Sequence, residues 1–149
     1  MAEMYLNLAE ILIELDALEN TTGRLEEAKG LIDKIRVRAG IPTIDEAWEK
    51  ANHPEKANTA EGLREIVRRE RQIEFYLENQ RFWDLRRWKD AGILGEKVWG
   101  MNIEGDTDET FFVPTELQNI RTFKQAQYLM PIPMTETNKV PHIVQNPGY

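Results

Sequence analysis

Residues 63–89 read LREIVRRERQIEFYLENQRFWDLRRWK. It holds seven Arg, four Glu and one Asp. Projected at about 100° per residue, Leu63, Ile66, Val67, Ile73 and Leu77 share one apolar stripe. Leu85 and Trp88 join it if the helix continues. Glu70 and Glu74 fall in the middle of that stripe, and Arg81 and Asp84 follow on the same face. Charges on a buried face are costly unless paired and hydrogen-bonded. The pattern therefore predicts an internal ionic cluster of Glu70, Glu74, Arg81 and Asp84, with Arg81 the nearest cation. The competing reading is a solvated, charged helix with an imperfect stripe. A break at Asn79, a residue type that tolerates left-handed backbone, would reset the phase.

Thr59 is placed to cap this element. A helix over 60–78, the bend at Asn79 and a second segment over 81–91 make residues 59–91 one long bent helix. Upstream, residues 2–18 are strongly helical, with a single polar stripe of Glu3, Asn7, Glu10 and Glu14. Met4, Tyr5, Leu6, Leu8, Ile11, Leu12, Ile13 and Leu15 coat the remainder. A surface helix has a narrower apolar stripe. This one is either a central core helix or one whose partner surface lies elsewhere, as in a truncated protein. In the second case an apolar face is exposed, or a second copy covers it in a dimer.

A turn at 19–23 leads to a second helix over 24–38, with Leu25, Ala28, Leu31, Ile32, Ile35 and Ala39 on one face. Arg36 and Arg38 load its last turn, where cations suit the dipole, and Gly40 and Pro42 stop it. Residues 1–40 thus form a helical hairpin similar to a tetratricopeptide unit, although the spacing from Ala9 to Gly23 exceeds what that repeat of about 34 residues allows. Thr43 caps a short helix over 44–51 with Trp48 facing inward, and 53–58 is a loop. Residues 92–149 read as an irregular tail. Within it lie an acidic loop at 104–109, a short strand at 111–113, an extended piece at 128–133 and one helical turn at 135–139. The fold class is mainly α, in one domain of 149 residues.

The totals limit the function. The net charge of −7 argues against nucleic acid or an anionic membrane surface as partner. With no cysteine there is no disulfide framework, thiol nucleophile, thiolate metal site or lipid-anchor cysteine in the chain as given. No signal-peptide pattern opens it.

Three signatures occur in order. Arg36-Val-Arg38-Ala-Gly40 follows the hairpin. Glu70-Arg71-x-x-Glu74 precedes Arg81-Phe-Trp-Asp84-Leu-Arg86-Arg87-Trp88. Pro131-Ile-Pro133 precedes Gln145-Asn-Pro-Gly-Tyr149. The ordered set resembles the C-terminal portion of the SusD/RagB family of outer-membrane nutrient-binding lipoproteins of Bacteroidetes. That resemblance implies a helical protein with TPR-like units at the cell surface, lipid-anchored, which captures glycans or other nutrients beside a TonB-dependent (SusC-like) transporter. It implies binding and not catalysis, and no cofactor. Family members are several times longer, so the chain is expected to be a C-terminal fragment with a structural role. The rival function is a stand-alone TPR-like interaction module.

Glu70 and Glu74 share a helix face, as an acid–base pair would, but arginine-rich surroundings favour ionised structural carboxylates. We assign no catalytic residue. His53 and His142 lack ligand spacing, and Asp106-x-Asp108 matches only a fragment of a calcium loop, so no metal site is assigned. The cluster Arg64, Arg68, Arg69 and Arg71 is interleaved with Glu and reads as an ion-paired face. Trp99 and Phe112, flanking a glycine-containing loop, are the ligand-binding candidates for stacking on a sugar ring; core packing explains them equally well.

Overall fold

The computed structural model describes residues 1–19, 23–117 and 121–149. Part of the turn expected at 19–23, residues 20–22, lies outside the described residues. The protein is mainly α, as expected. Its residues gather into two compact units, Met1–Arg81 and Phe82–Tyr149.

The first unit is helical. Helix α1 spans Ala2–Glu19 and α2 spans Arg24–Arg38. Gly23 precedes α2 at φ 97° and Gly40 follows it at φ 73°, left-handed positions that glycine occupies without strain. Helix α3 is Ile44–Trp48, and Thr43 and Glu46 form a reciprocal capping box at its start. A 3-10 turn, Pro54–Asn58, replaces the expected loop and leads into α4, Ala60–Glu74. The Thr59 hydroxyl accepts the Gly62 N–H at 3.1 Å, so the cap is where the sequence places it.

Helix α1 packs on both α2 and α4. Their shared core holds Leu6, Ala9 and Ile13 from α1; Ala28, Leu31, Ile32 and Ile35 from α2; and Leu63, Ile66 and Val67 from α4. The opposite face of α1 is open: Met4, Leu8, Ile11 and Leu18 are exposed.

Two buried cations stand among these apolar residues. Removing an ion from water costs several kcal/mol, so each needs dedicated partners. Lys29 Nζ lies 2.6 Å from Glu26 and 3.0 Å from Asp45, and donates to Asn58 at 3.3 Å. Burial pushes its pKa down, but the bonds to Glu26 and Asp45 outweigh this and raise it. This one ammonium ties α2 to α3 and to the 3-10 turn. Arg71 of α4 donates to Asn7 Oδ1 at 2.6 Å, lies 4.0 Å from Glu10, and sits 5.4 Å from the Phe75 ring centre.

The stripe in α4 departs from the projection. Leu63, Ile66 and Val67 are buried, but Ile73 and Leu77 are exposed, and Arg71 and Phe75 are buried in their place. Helix α4 ends at Glu74, not at residue 78, so its phase stops there. Leu77 and Asn79 both take left-handed backbone, φ 68° and 61°, and the helical path restarts as α5, Gln80–Arg87. The break expected at Asn79 is observed, and the left-handed backbone that begins at Leu77 takes that residue off the apolar stripe.

The second unit contains a small antiparallel pair, β1 Trp99–Met101 and β2 Pro114–Glu116, with Trp99 opposite Glu116 and Met101 opposite Pro114. Between them lies helix α6, Asp108–Phe111. The strand expected at 111–113 therefore begins three residues later. Thr107 and Thr110 form a capping box that draws Phe111 into the helix. Helix α7 is Met134–Lys139. Few apolar side chains are buried here: among the described residues only Leu85 and Ala91. Side-chain bonds to backbone do more of the organising. The Gln145 amide accepts the Ile132 N–H and donates to the Ile132 carbonyl, both at 2.8 Å. Ile132 lies between two prolines that have no N–H to offer. The Asn146 amide donates to the Met130 carbonyl at 2.5 Å, and the Tyr128 hydroxyl donates to the Lys89 carbonyl at 2.6 Å. No helix among the described residues is long and apolar enough to cross a membrane.

Two measurements check this packing. A Cβ at Gly62 would overlap the Lys56 backbone in the turn before α4. Gly62→Ala should cost about 1–3 kcal/mol in denaturant unfolding, as overpacking does; no loss would mean that this approach is not so close. Glu14 accepts from Arg64 Nε at 2.6 Å and Nη2 at 2.8 Å, and that bond, against the opposing effect of partial burial, holds the Glu14 carboxyl below its usual pKa of 4.5. A folded pKa below the unfolded one stabilises the protein above the unfolded value, and that contribution is lost as pH falls through the folded value. Glu14→Gln should therefore lower Tm at about pH 7 and leave it nearly unchanged at about pH 2.5. Equal losses at both would contradict the assignment.

Candidate functional site

Glu70 and Glu74 lie on the face of α4 that turns inward, with side chains 12% and 20% exposed. The cations against them come from the last turn of α2. Arg36 Nη1 pairs with Glu70 Oε1, both side chains 12% exposed. Arg36 Nε also donates to the Pro42 carbonyl at 2.6 Å. Arg38 Nη2 donates to both carboxylate oxygens of Glu74, at 2.5 and 2.7 Å. The first two sequence signatures are thus the two halves of one clamp. Arg81, expected as the nearest cation, is half-buried at the start of α5. Asp84 is buried in the same helix, and Arg87 Nε donates to it at 2.9 Å.

Sequence reading missed Arg36 and Arg38 as partners. It gave them a complete local reason, the dipole of α2, and no pattern in α4 points back across more than thirty residues. The one available signal was that two carboxylates on a buried stripe require two cations, and α2 ends on two. Chemically, the arrangement fixes helices. Each carboxylate already accepts from a guanidinium.

The aromatic candidates belong to the strand pair. Trp99 and Phe112 are each 61% exposed. Asn102 holds the segment between them: its N–H donates to the Phe111 and Val113 carbonyls at 3.1 and 3.2 Å, and its side-chain amide donates to the Thr110 carbonyl at 3.1 Å. The Phe111 and Phe112 rings meet edge to face with centres 5.2 Å apart. Neither ring is packed in a core among the described residues. The acidic loop carries the cap of α6, with Glu104 N–H donating to Asn102 Oδ1 at 3.3 Å. His53 Nδ1 sits 3.1 Å from Glu55 on the surface.

Comparison with known proteins adds the relationship. No curated protein matches the chain. A SusD-like protein from Bacteroides fragilis NCTC 9343 superposes with a TM-score of 0.72 at 36% identity, over 99% of this chain and 25% of that one. BT4246 superposes with a TM-score of 0.77 at 35% identity, over 99% of this chain and 23% of that one. Its selenomethionine form gives the same TM-score of 0.77 at 34% identity, with 99% and 24% covered. The chain therefore spans about a quarter of the length of these solved relatives. The profile of the SusD family matches residues 1–149, and the chain belongs to that family.

Proposed function

We propose that this chain is the C-terminal structural part of a SusD/RagB-like surface lipoprotein that binds glycans or other nutrients for uptake through a TonB-dependent transporter at the outer membrane. The observation that carries this reading is the family match over all 149 residues, set beside relatives about four times as long. Locally the chain acts as scaffold: α1, α2 and α4 make a rigid helical body, and the second unit presents open aromatic rings. Trp99 and Phe112 are the side chains we assign to sugar contact, since an exposed ring offers an apolar face to a pyranose. We assign Glu70 and Glu74 to structure and not hydrolysis, since Glu70 Oε1 pairs with Arg36 and both oxygens of Glu74 accept from Arg38.

One observation favours a second reading, a TPR-like interaction module. The open stripe of Met4, Leu8, Ile11 and Leu18 on α1 has the spacing of a helix-docking face. It is also the face through which a second copy would pair.

Affinity electrophoresis through gels that contain neutral polysaccharides tests the first reading. Retarded migration is expected, and Trp99→Ala and Phe112→Ala should each weaken it about tenfold, the equivalent of ~1.4 kcal/mol. Retardation unchanged in both variants would remove these rings from the contact. Migration unaffected by every polysaccharide would remove glycan binding from this chain.

A further inference from the structure

A second concave place lies in the Phe82–Tyr149 unit, and its lining chemistry differs from that of Trp99 and Phe112. A cavity of about 320 Å³ opens beside α5, at the lower end of the roughly 300–1,000 Å³ found for small-molecule clefts. Phe82, Phe123 and Tyr149 supply rings to its lining, and Thr122 and Gln127 supply polar groups. Among the described residues Arg86 is its one cationic lining side chain, and no Asp or Glu side chain lines it.

Arg86 is held but not neutralised. Its guanidinium lies 5.1 Å from the Phe82 ring centre and 5.4 Å from that of Trp83. These two rings meet edge to face at 5.1 Å, which fixes the surface on which the guanidinium rests. Its one hydrogen-bond acceptor among the described residues is the Met130 thioether, at 3.7 Å. A thioether is a weak acceptor, and a guanidinium carries five N–H donors in a planar fork. Arg36, Arg38 and Arg64 each meet a carboxylate in this protein, whereas Arg86 meets none among the described residues. The other walls are also fixed. The Tyr149 hydroxyl donates to the Leu129 carbonyl at 3.0 Å, and Phe123 packs edge to face on Tyr128 at 4.8 Å.

We infer that this cavity takes an acidic saccharide residue, a pyranose bearing an oxyanion, with the oxyanion on Arg86 and the ring against the aromatic walls. A guanidinium fork matches carboxylate geometry with two parallel bonds, and sulfate offers the same oxygen edge. The inference rests on the reading of this chain as part of a glycan-capturing protein, and adds a preference for acidic glycans at a site separate from Trp99 and Phe112.

Calorimetric titration of the 149-residue chain with a galacturonic acid trimer, a sulfated galactose oligomer and a neutral galactose trimer tests it. The galacturonic acid trimer should bind more tightly than the neutral one and weaken as salt is raised. Arg86→Gln should reduce its affinity about tenfold or more and leave neutral binding unchanged. Thr122→Glu changes an exposed residue without a hydrogen bond among the described residues, places a like charge at the rim, and should produce the same selective loss in a protein of unaltered circular dichroism. The sulfated oligomer responding to the same substitutions would make any oxyanion sufficient; its failure to bind would make the carboxylate the required group. Acidic binding that is no tighter than neutral binding, or that survives both substitutions, overturns the inference and leaves the Trp99 and Phe112 assignment standing. Absence of binding by all three oligomers, together with unaltered migration in the polysaccharide gels, removes both.

Discussion

The helical unit depends on two ion pairs between the end of α2 and the inner face of α4. Arg36–Glu70 and Arg38–Glu74 stand side by side, and the first has both side chains nearly out of solvent. At that low exposure an unpaired Arg36 or Glu70 would be costly, whereas Arg38 is 60% exposed and its pair with Glu74 lies nearer the surface. The pairs therefore constrain register as well as contact. Arg64 with Glu14, and Arg71 with Asn7 and Glu10, do the same between α4 and α1. Helix α4 is tied on both flanks by polar groups of defined geometry, around a core of Leu63, Ile66 and Val67.

This explains why the recognisable motifs occur together. Arg36-Val-Arg38 and Glu70-Arg71-x-x-Glu74 are partners in one clamp. Pro131-Ile-Pro133 and Gln145-Asn146 are partners in another, where a side-chain amide completes backbone bonds that flanking prolines cannot supply. Each motif is half of a contact, so each is weak as a signal and the ordered set is specific. The second unit, poor in buried apolar side chains, relies on this kind of bond throughout, with Tyr128 and Tyr149 adding hydroxyl contacts to backbone carbonyls.

Much of the helical unit was legible from local chemistry. The bounds of α2, the caps at Thr43 and Thr59, and the left-handed Asn79 follow from residue types whose preferences act within one turn. Presence of carboxylates on the inner face of α4 was legible too, because periodicity reports faces. Their partners were not, because periodicity says nothing about what crosses from another helix. Leu77 was misplaced because a bulky residue at φ 68° is rare and no local rule flags it. The shift from a strand at 111–113 to one at Pro114–Glu116 came from a threonine capping box that the apolar run Phe111–Phe112–Val113 obscured. The cavity at Arg86 has no sequence signal, since its rings and cation meet only through the folded path of the tail.

Glu70 is a structural member of the clamp, paired with Arg36 where both side chains are largely out of solvent. A double-mutant cycle on Arg36→Ala and Glu70→Ala, read by denaturant unfolding with unchanged m-values, measures that pairing directly. The clamp predicts a coupling energy of about 2 kcal/mol, in the upper part of the range for residues in one ion-pair network. A coupling below about 0.5 kcal/mol, the level at which sites simply add, would contradict it.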